Sequence, residues 1–180
     1  SQPKELDILF PVDDELTVFP QNYKWYTFSA LKCRGDGEVA MRRVQDLTPE
    51  QKEAANGDIP TDPYEMVEVS CPCPLLDEGK CNQVGSLSFM LPKVSLAGVY
   101  QIDTRSSYSI INVNSAMALA RALCGRIMMV PFKLRRVAQK IEYEGKMQTH
   151  FILTLEHQLS ASQIQKMRGE KLLLEGPVSI

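Results

Sequence analysis

The stretch Cys71-Pro72-Cys73-Pro74, followed by Cys81, decides how the middle of this chain folds. Proline fixes the backbone angle φ and removes an amide donor, so regular strand or helix pairing is interrupted here. Three of the chain's 5 cysteines lie in this stretch. Thiols brought this close together are bound to a soft metal ion, kept reduced as structural side chains, or oxidised to one another.

Of these three states we expect the metal-bound one, as a zinc knuckle. The sequence has no apolar run near the ~20 residues that a membrane span needs. Its first nine residues include Lys4, Glu5 and Asp7 and lack the apolar core of a secretion signal. These features predict an intracellular protein, and clustered cysteines in a reducing cytoplasm are more often metal ligands than disulfides. The odd number of cysteines also fits poorly with full pairing.

A structural zinc site closes with four protein ligands, and the knuckle supplies three of them. We prefer Cys33 as the fourth ligand, because it lies at the end of a predicted hairpin from which the other thiolates can be reached. The alternatives are Cys124, which falls on an apolar helix stripe where cysteine behaves as a small hydrophobe, and His150 or His157. The predicted ligands are therefore Cys33, Cys71, Cys73 and Cys81. Four such ligands leave no open position for a reacting water.

The hydrophobic pattern predicts an α+β fold dominated by antiparallel strands. An aromatic strand begins with Tyr23–Phe28, and Arg34–Gly37 is turn chemistry that returns the chain through residues 38–44. Thr48 and Gln51 form a capping box that starts a short helix. Further strands are predicted near 64–70, 86–91, 98–104, 126–141 and 147–156. The order of elements resembles that of a five-stranded oligonucleotide-binding barrel.

Three segments are predicted along the chain. Residues 1–22 form an acidic N-terminal arm on the surface, 23–158 an α+β core with the cysteine knuckle at 71–81, and 159–180 a C-terminal helix and tail that Ser160 caps. The core contains one long central helix, ended by Gly125. Its apolar stripe consists of Ile110, Val113, Met117, Ala120 and Cys124.

Charge is unevenly distributed although the net charge is only −2. Residues 1–20 carry five acidic side chains against Lys4 alone, and residues 126–146 carry six Lys and Arg side chains against two glutamates. The simpler interpretation is two solvated faces. The alternative is a basic surface for an acidic partner or for a DNA backbone.

No catalytic motif is present: the sequence lacks a nucleophile elbow, a phosphate-binding P-loop and a zinc-protease HExxH. We interpret Asp103 as a turn or capping residue, and Asp13-Asp14-Glu15 as part of the solvated arm. The aromatic strand that contains Trp25 offers side chains for stacking on single-stranded bases, although one of its faces must pack inward.

Several blocks of the sequence resemble a phage protein family, and the resemblance covers about residues 20–157. The blocks are Cys71–Pro74, Gly85–Phe89, Gly98–Thr104, Ser109–Ser115, Gly125–Ile127 with Pro131–Leu134, and Thr149–Phe151. The family is that of the phage recombination directionality factors, which partner large serine integrases.

This resemblance implies a protein of the bacterial host's cytoplasm that binds an integrase and switches it from integration to excision of the prophage. It implies contact with DNA only through the integrase, and no catalysis, membrane or small-molecule substrate. The overall acidity agrees with control through protein contact. The alternative is a phage single-stranded nucleic-acid-binding protein on a barrel core. No partner-binding residues are indicated.

Overall fold

A computed structural model of the chain describes residues 4–28, 30–55, 57–143 and 145–175. The chain folds into two compact units. The smaller unit runs from Gln21 to Gly85, and the larger unit contains the residues up to Pro20 and from Ser86 onward. The segments predicted as 1–22, 23–158 and 159–180 stay a prediction.

The fold is α+β, with mainly antiparallel sheets and five α-helices among the described residues, which confirms the predicted class. In chain order the elements are β1 (Glu5–Ile8), α1 (Glu15–Val18), β2 (Gln21–Thr27), β3 (Ala30–Gly35), β4 (Val39–Arg43), α2 (Pro49–Ala54), β5 (Met66–Ser70), α3 (Pro74–Asp77), β6 (Asn82–Leu91), β7 (Ser95–Thr104), α4 (Ser107–Cys124), β8 (Phe132–Tyr143), β9 (Lys146–His157) and α5 (Ala161–Glu175).

The smaller unit is an antiparallel sheet in the order β5-β4-β3-β2, joined at β2 by the first residues of β6. The predicted aromatic strand is in fact two strands, because the chain reverses after Thr27 and β3 pairs back along β2. Phe28, at the reversal, has φ of 53° and a fully exposed side chain. The second reversal, between β3 and β4, is the predicted turn: the Asp36 carboxylate accepts hydrogen bonds from the amides of Glu38 and Val39.

The barrel expectation is wrong. Among the described residues both sheets are open: one has the strand order β5-β4-β3-β2-β6-β7 and the other β1-β8-β9. A barrel needs its first and last strands to pair, and neither sheet makes such a pairing within these residues.

The larger unit packs α4 against its sheets around one apolar core. Ser106 caps α4 by accepting a hydrogen bond from the Ser109 amide, and Gly125 ends the helix in the left-handed conformation with φ of 75°. All five residues of the predicted apolar stripe are buried. Residues of β8 and β9 complete the core: Phe132, Leu134, Leu153 and Leu155.

The apolar side chains of the N-terminal segment are buried. Ile8, Phe10, Val18 and Phe19 are at most 1% exposed and belong to the core of the larger unit. Acidic residues of the same segment pair with basic side chains and help to hold it in place. Glu5, for example, accepts hydrogen bonds from Lys133 at 2.6 Å and from Arg135 at 3.1 Å.

Arg121 of α4 forms ion pairs with Asp13 and Glu15 of the N-terminal segment. Its guanidinium donates to both carboxylate oxygens of Glu15, and this hydrogen bonding lowers the pKa of Glu15 below the ordinary 4.5. Burial works against ionisation of Asp13. The amides of Ile127 and Met128 and the charge of Arg121 outweigh that cost and lower the pKa of Asp13 below 3.8. Both carboxylates are therefore charged in the folded state at neutral pH.

We expect Arg121→Met to lower the free energy of unfolding at neutral pH by about 1 kcal/mol, a modest value because the pair is a third exposed. Carboxylates with lowered folded-state pKa values stabilise the fold above their unfolded pKa and lose that effect as pH falls through the folded value. The difference between Arg121→Met and the natural protein should therefore shrink as the pH falls below 4.5. Urea unfolding across this pH range measures it, and a pH-independent difference would contradict it.

Candidate functional site

The structure brings the four predicted cysteine ligands together. Their side chains all line one cavity of about 10 Å³ in the smaller unit. Cys33 is on β3, Cys71 follows β5, Cys73 is the N-cap residue of α3, and Cys81 precedes β6. All are free thiols, and Cys33 is only 3% exposed. We call these four residues the cysteine cluster.

The three alternative ligands are elsewhere. Cys124 lies in the core of the larger unit on α4 and is fully buried. His150 and His157 are on β9, also in the larger unit. None of the three lines the cavity.

Local backbone contacts explain why the knuckle residues reach the cavity. The amide of Cys71 donates to the Glu38 carbonyl at 2.9 Å, which extends the pairing of β4 and β5 by one residue. The Cys71–Pro72 peptide bond is cis, and Pro74 provides the first residue of α3. The amide of Cys81 then donates to the Leu75 carbonyl at 3.3 Å, which turns the chain back.

Gly35 allows Cys71 to approach β3. A Cβ atom at position 35 would lie 2.9 Å from the Cys71 sulfur and 2.7 Å from the Ala40 Cβ. Both distances are shorter than ordinary van der Waals contact, so only glycine fits between the strand and the thiol.

Arg42 is the charged residue of the site, and sequence analysis missed it. Its side chain is 1% exposed; Nη2 donates to the Cys73 sulfur at 3.1 Å and Nη1 to the Gln51 side-chain carbonyl at 2.8 Å. Gln51 is the residue that closes the capping box with Thr48. The Arg42 guanidinium also lies 5.7 Å from the Trp25 ring centroid. Alternation along β4 contained a signal, since it places Arg42 on the same inward face as the buried Ala40.

The thiols of the cysteine cluster affect one another electrostatically. Burial raises the pKa of the Cys81 thiol to about 11, and the neighbouring Cys33 and Cys73 add to the increase. Burial also raises the pKa of Cys71, with smaller contributions from Cys33 and Cys73. Arg42 acts in the opposite direction on Cys81. A cation placed among these sulfurs would favour their charged forms.

The cysteine cluster does not have the geometry of a metal-bound site. Among the described residues, no group of three or more His, Cys, Asp or Glu side chains is arranged so that it could hold a metal ion. What the structure does provide is four soft ligands around one small cavity, beside a buried cation. That donor set is the one that structural zinc sites use.

Comparison with known families identifies the class of protein. The model of a family described as "Gp3-like: Recombination directionality factor-like" matches residues 1–158, and the chain belongs to that family. The resemblance inferred from the sequence blocks is thereby confirmed. Proteins of this kind have a role in recombination with a protein partner, and they are typically non-catalytic. Neither the curated proteins nor the solved structures gave a match.

Within the described residues, none of the helices has the length and apolar character needed to cross a bilayer.

We expect Gly35→Ala to destabilise the smaller unit by about 1–3 kcal/mol, the usual cost of forcing an extra methyl group into a packed site. Urea unfolding followed by the fluorescence of Trp25, the chain's only tryptophan, measures the change. The matched control is Gly169→Ala in α5, where an added Cβ meets no atom within 4 Å. It should be neutral or stabilise the protein by up to ~1 kcal/mol. Natural stability in Gly35→Ala would show that the close approach to Cys71 is not a constraint.

Proposed function

We propose that the protein is a phage recombination directionality factor that binds a large serine integrase. It switches the integrase from integration to excision of the prophage, in the cytoplasm of the bacterial host. It acts through protein contact, without catalysis of its own, and reaches DNA only through the integrase. The family match over residues 1–158 is the observation that carries this proposal.

The hairpin of β8 and β9 is the surface that best fits a protein partner. By strand alternation, Leu134 and Leu153 lie on the face of the hairpin that packs into the core. The amide of Leu153 donates to the Ser109 hydroxyl at 2.9 Å, so the first turn of α4 covers the hairpin at this level. Past this point the same face continues with exposed side chains, among them Phe151 at 53% and Met147 at 64%.

Basic side chains accompany these apolar ones. Arg136 and Lys140 share the face with Phe151, and the Arg136 guanidinium lies 4.0 Å from the centroid of the Phe151 ring. Glu142, near the hairpin tip, is the acidic residue of this face. We call the outer part of the face, formed by Arg136, Ala138, Lys140, Glu142, Met147, Thr149 and Phe151, the hairpin face.

The opposite face of the hairpin shows how its basic side chains are neutralised within the chain. There, nearer the core, the acidic strand β1 pairs with β8, and its Glu5 contacts Lys133 and Arg135. Further out, no ion pair within the described residues engages Arg136 or Lys140. An acidic segment with apolar side chains would complete both the charge and the apolar contact. We therefore propose that the integrase contributes such a segment.

Protein contact is favoured over nucleic-acid binding by three observations. Phe151 and Met147 expose apolar surface of the kind that protein interfaces bury. The aromatic strand, which had suggested base stacking, is engaged within the smaller unit: Lys32 and Arg42 both lie within 6 Å of the Trp25 ring centroid. The nucleic-acid alternative also assumed a barrel core, and the sheets are open.

The energy required is within reach of one interface. Moving a two-state preference from 1:99 to 99:1 takes about 5.5 kcal/mol of differential affinity. A protein that binds the excision-competent arrangement of an integrase more tightly than the integration-competent one supplies that difference without taking part in the chemistry.

The test is recombination in a purified system with the integrase and DNA that carries the two hybrid attachment sites. Adding this protein should start excision and suppress integration. The integrases to test are those of phages that encode a protein of this family. If none of them changes its direction of recombination when this protein is added, the proposed function is refuted.

The hairpin face is tested separately with the double variant Arg136→Glu and Lys140→Glu. The double variant should lose most of its excision-promoting activity and bind the integrase at least 10-fold more weakly. The reason is that two positive side chains facing acidic groups of the integrase are replaced by negative ones, which those groups repel. Lys52→Glu, at an exposed position on α2, is the matched control and should act like the natural protein. If the double variant switches the integrase normally, the contact lies elsewhere. If the double variant still binds the integrase but no longer binds DNA, the hairpin face is a DNA-binding surface.

A further inference from the structure

The smaller unit has little apolar core of its own. Among its described residues the buried apolar side chains are Cys33, Ala40, Leu47, Leu75 and Val84. Units of this size usually need a further constraint, such as disulfides or a bound metal ion, to stay folded. The cysteines are unpaired, so a disulfide does not supply that constraint here.

The unit also buries a permanent positive charge without a matching anion. Arg42 is 1% exposed, and no carboxylate of the described residues forms a hydrogen bond or ion pair with it. Its acceptors are the amide oxygen of Gln51 and the sulfur of Cys73, and its buried Nε has no partner. A neutral thiol is a weak acceptor, whereas a thiolate is an anion. Arg42 therefore lies where it would offset negative charge on the Cys73 sulfur once that sulfur binds a cation.

We propose that Cys33, Cys71, Cys73 and Cys81 bind one zinc ion as thiolates, and that Arg42 is the cation that balances the resulting charge. Four thiols release four protons when they bind one Zn²⁺, and the product carries a net charge of −2. The Arg42 guanidinium, which donates a hydrogen bond to the Cys73 sulfur, offsets part of that charge. Arg42 is a positioning residue in this arrangement, because it acts on the ion through a ligand.

The size of the cavity suits a single small ion. A volume of about 10 Å³ corresponds to one water-sized sphere or less. A zinc ion held by all four thiolates has no position left for a reactive water. Zinc–sulfur distances are ~2.3 Å, so binding would draw the four sulfurs together around the ion. The site is then closed and structural.

Metal analysis of the full chain, purified with a thiol reductant, tests the ligands. We expect one zinc per chain, and on exchange with Co²⁺ the charge-transfer absorption of cobalt bound to thiolates. Cys73→Ser should bind less than one equivalent and lose part of that absorption. Cys124→Ala, which removes the thiol buried in the larger unit, is the matched control and should keep both. Absence of both metals from the natural protein, or full binding by Cys73→Ser, would overturn the assigned site.

Competition with a chelator tests Arg42. Arg42→Met should weaken zinc binding by about 10–100-fold, the range found when a residue that supports a metal ligand is removed. Arg42→Lys keeps the charge and should recover part of the loss. Equal zinc affinity in the natural protein and in Arg42→Met would refute the role of Arg42; if Arg42→Met does not fold, Arg42→Lys provides the comparison. These measurements involve no integrase, so their outcome is independent of the proposed function.

Discussion

The burial of the Arg42 guanidinium against the cysteine cluster is the constraint on which the smaller unit depends. The guanidinium joins three parts of that unit: its own strand β4, the cysteine at the start of α3, and Gln51 of α2. Isolating a charge of this kind from water without an anion costs several kcal/mol. The polar contacts of Arg42, rather than apolar packing alone, therefore determine how β4, α2 and α3 are arranged.

The larger unit is organised differently. Its core is apolar, and its charges work at the edges, where the acidic N-terminal segment meets basic side chains of α4 and β8. Chain segments far apart in sequence are joined in this way, since Glu5 contacts Lys133 and Glu15 contacts Arg121. Ion pairs at the surface contribute little individually. Here they accompany a strand pairing and buried phenylalanines, so they orient a segment that apolar burial already holds.

Sequence reasoning succeeded where the signal was local. The capping box of α2, the apolar stripe of α4 and the turn at Asp36 are each encoded within a few neighbouring residues, and the structure contains all three. Sequence reasoning missed the chain reversal at Phe28. This residue has a positive φ but is not glycine, so the sequence contains no typical turn residue there. The ion pairs of the acidic N-terminal residues were not predictable, because their partners lie more than a hundred positions away. The proximity of Cys71, Cys73 and Cys81 follows from their spacing, and Cys33 was added because it ends a predicted hairpin. The role of Arg42 required the strand pairing that sets it beside them.

The lysine amines on the outer part of the β8–β9 hairpin make this surface suitable for chemical cross-linking. Lys140 and Lys146 are exposed on the outer part of this hairpin, within reach of any carboxylate that approaches it. Carbodiimide coupling joins amines to carboxylates without a spacer, so it can convert a transient acidic neighbour of this hairpin into a permanent covalent adduct. Peptide mapping of that adduct would then read the neighbour's sequence directly.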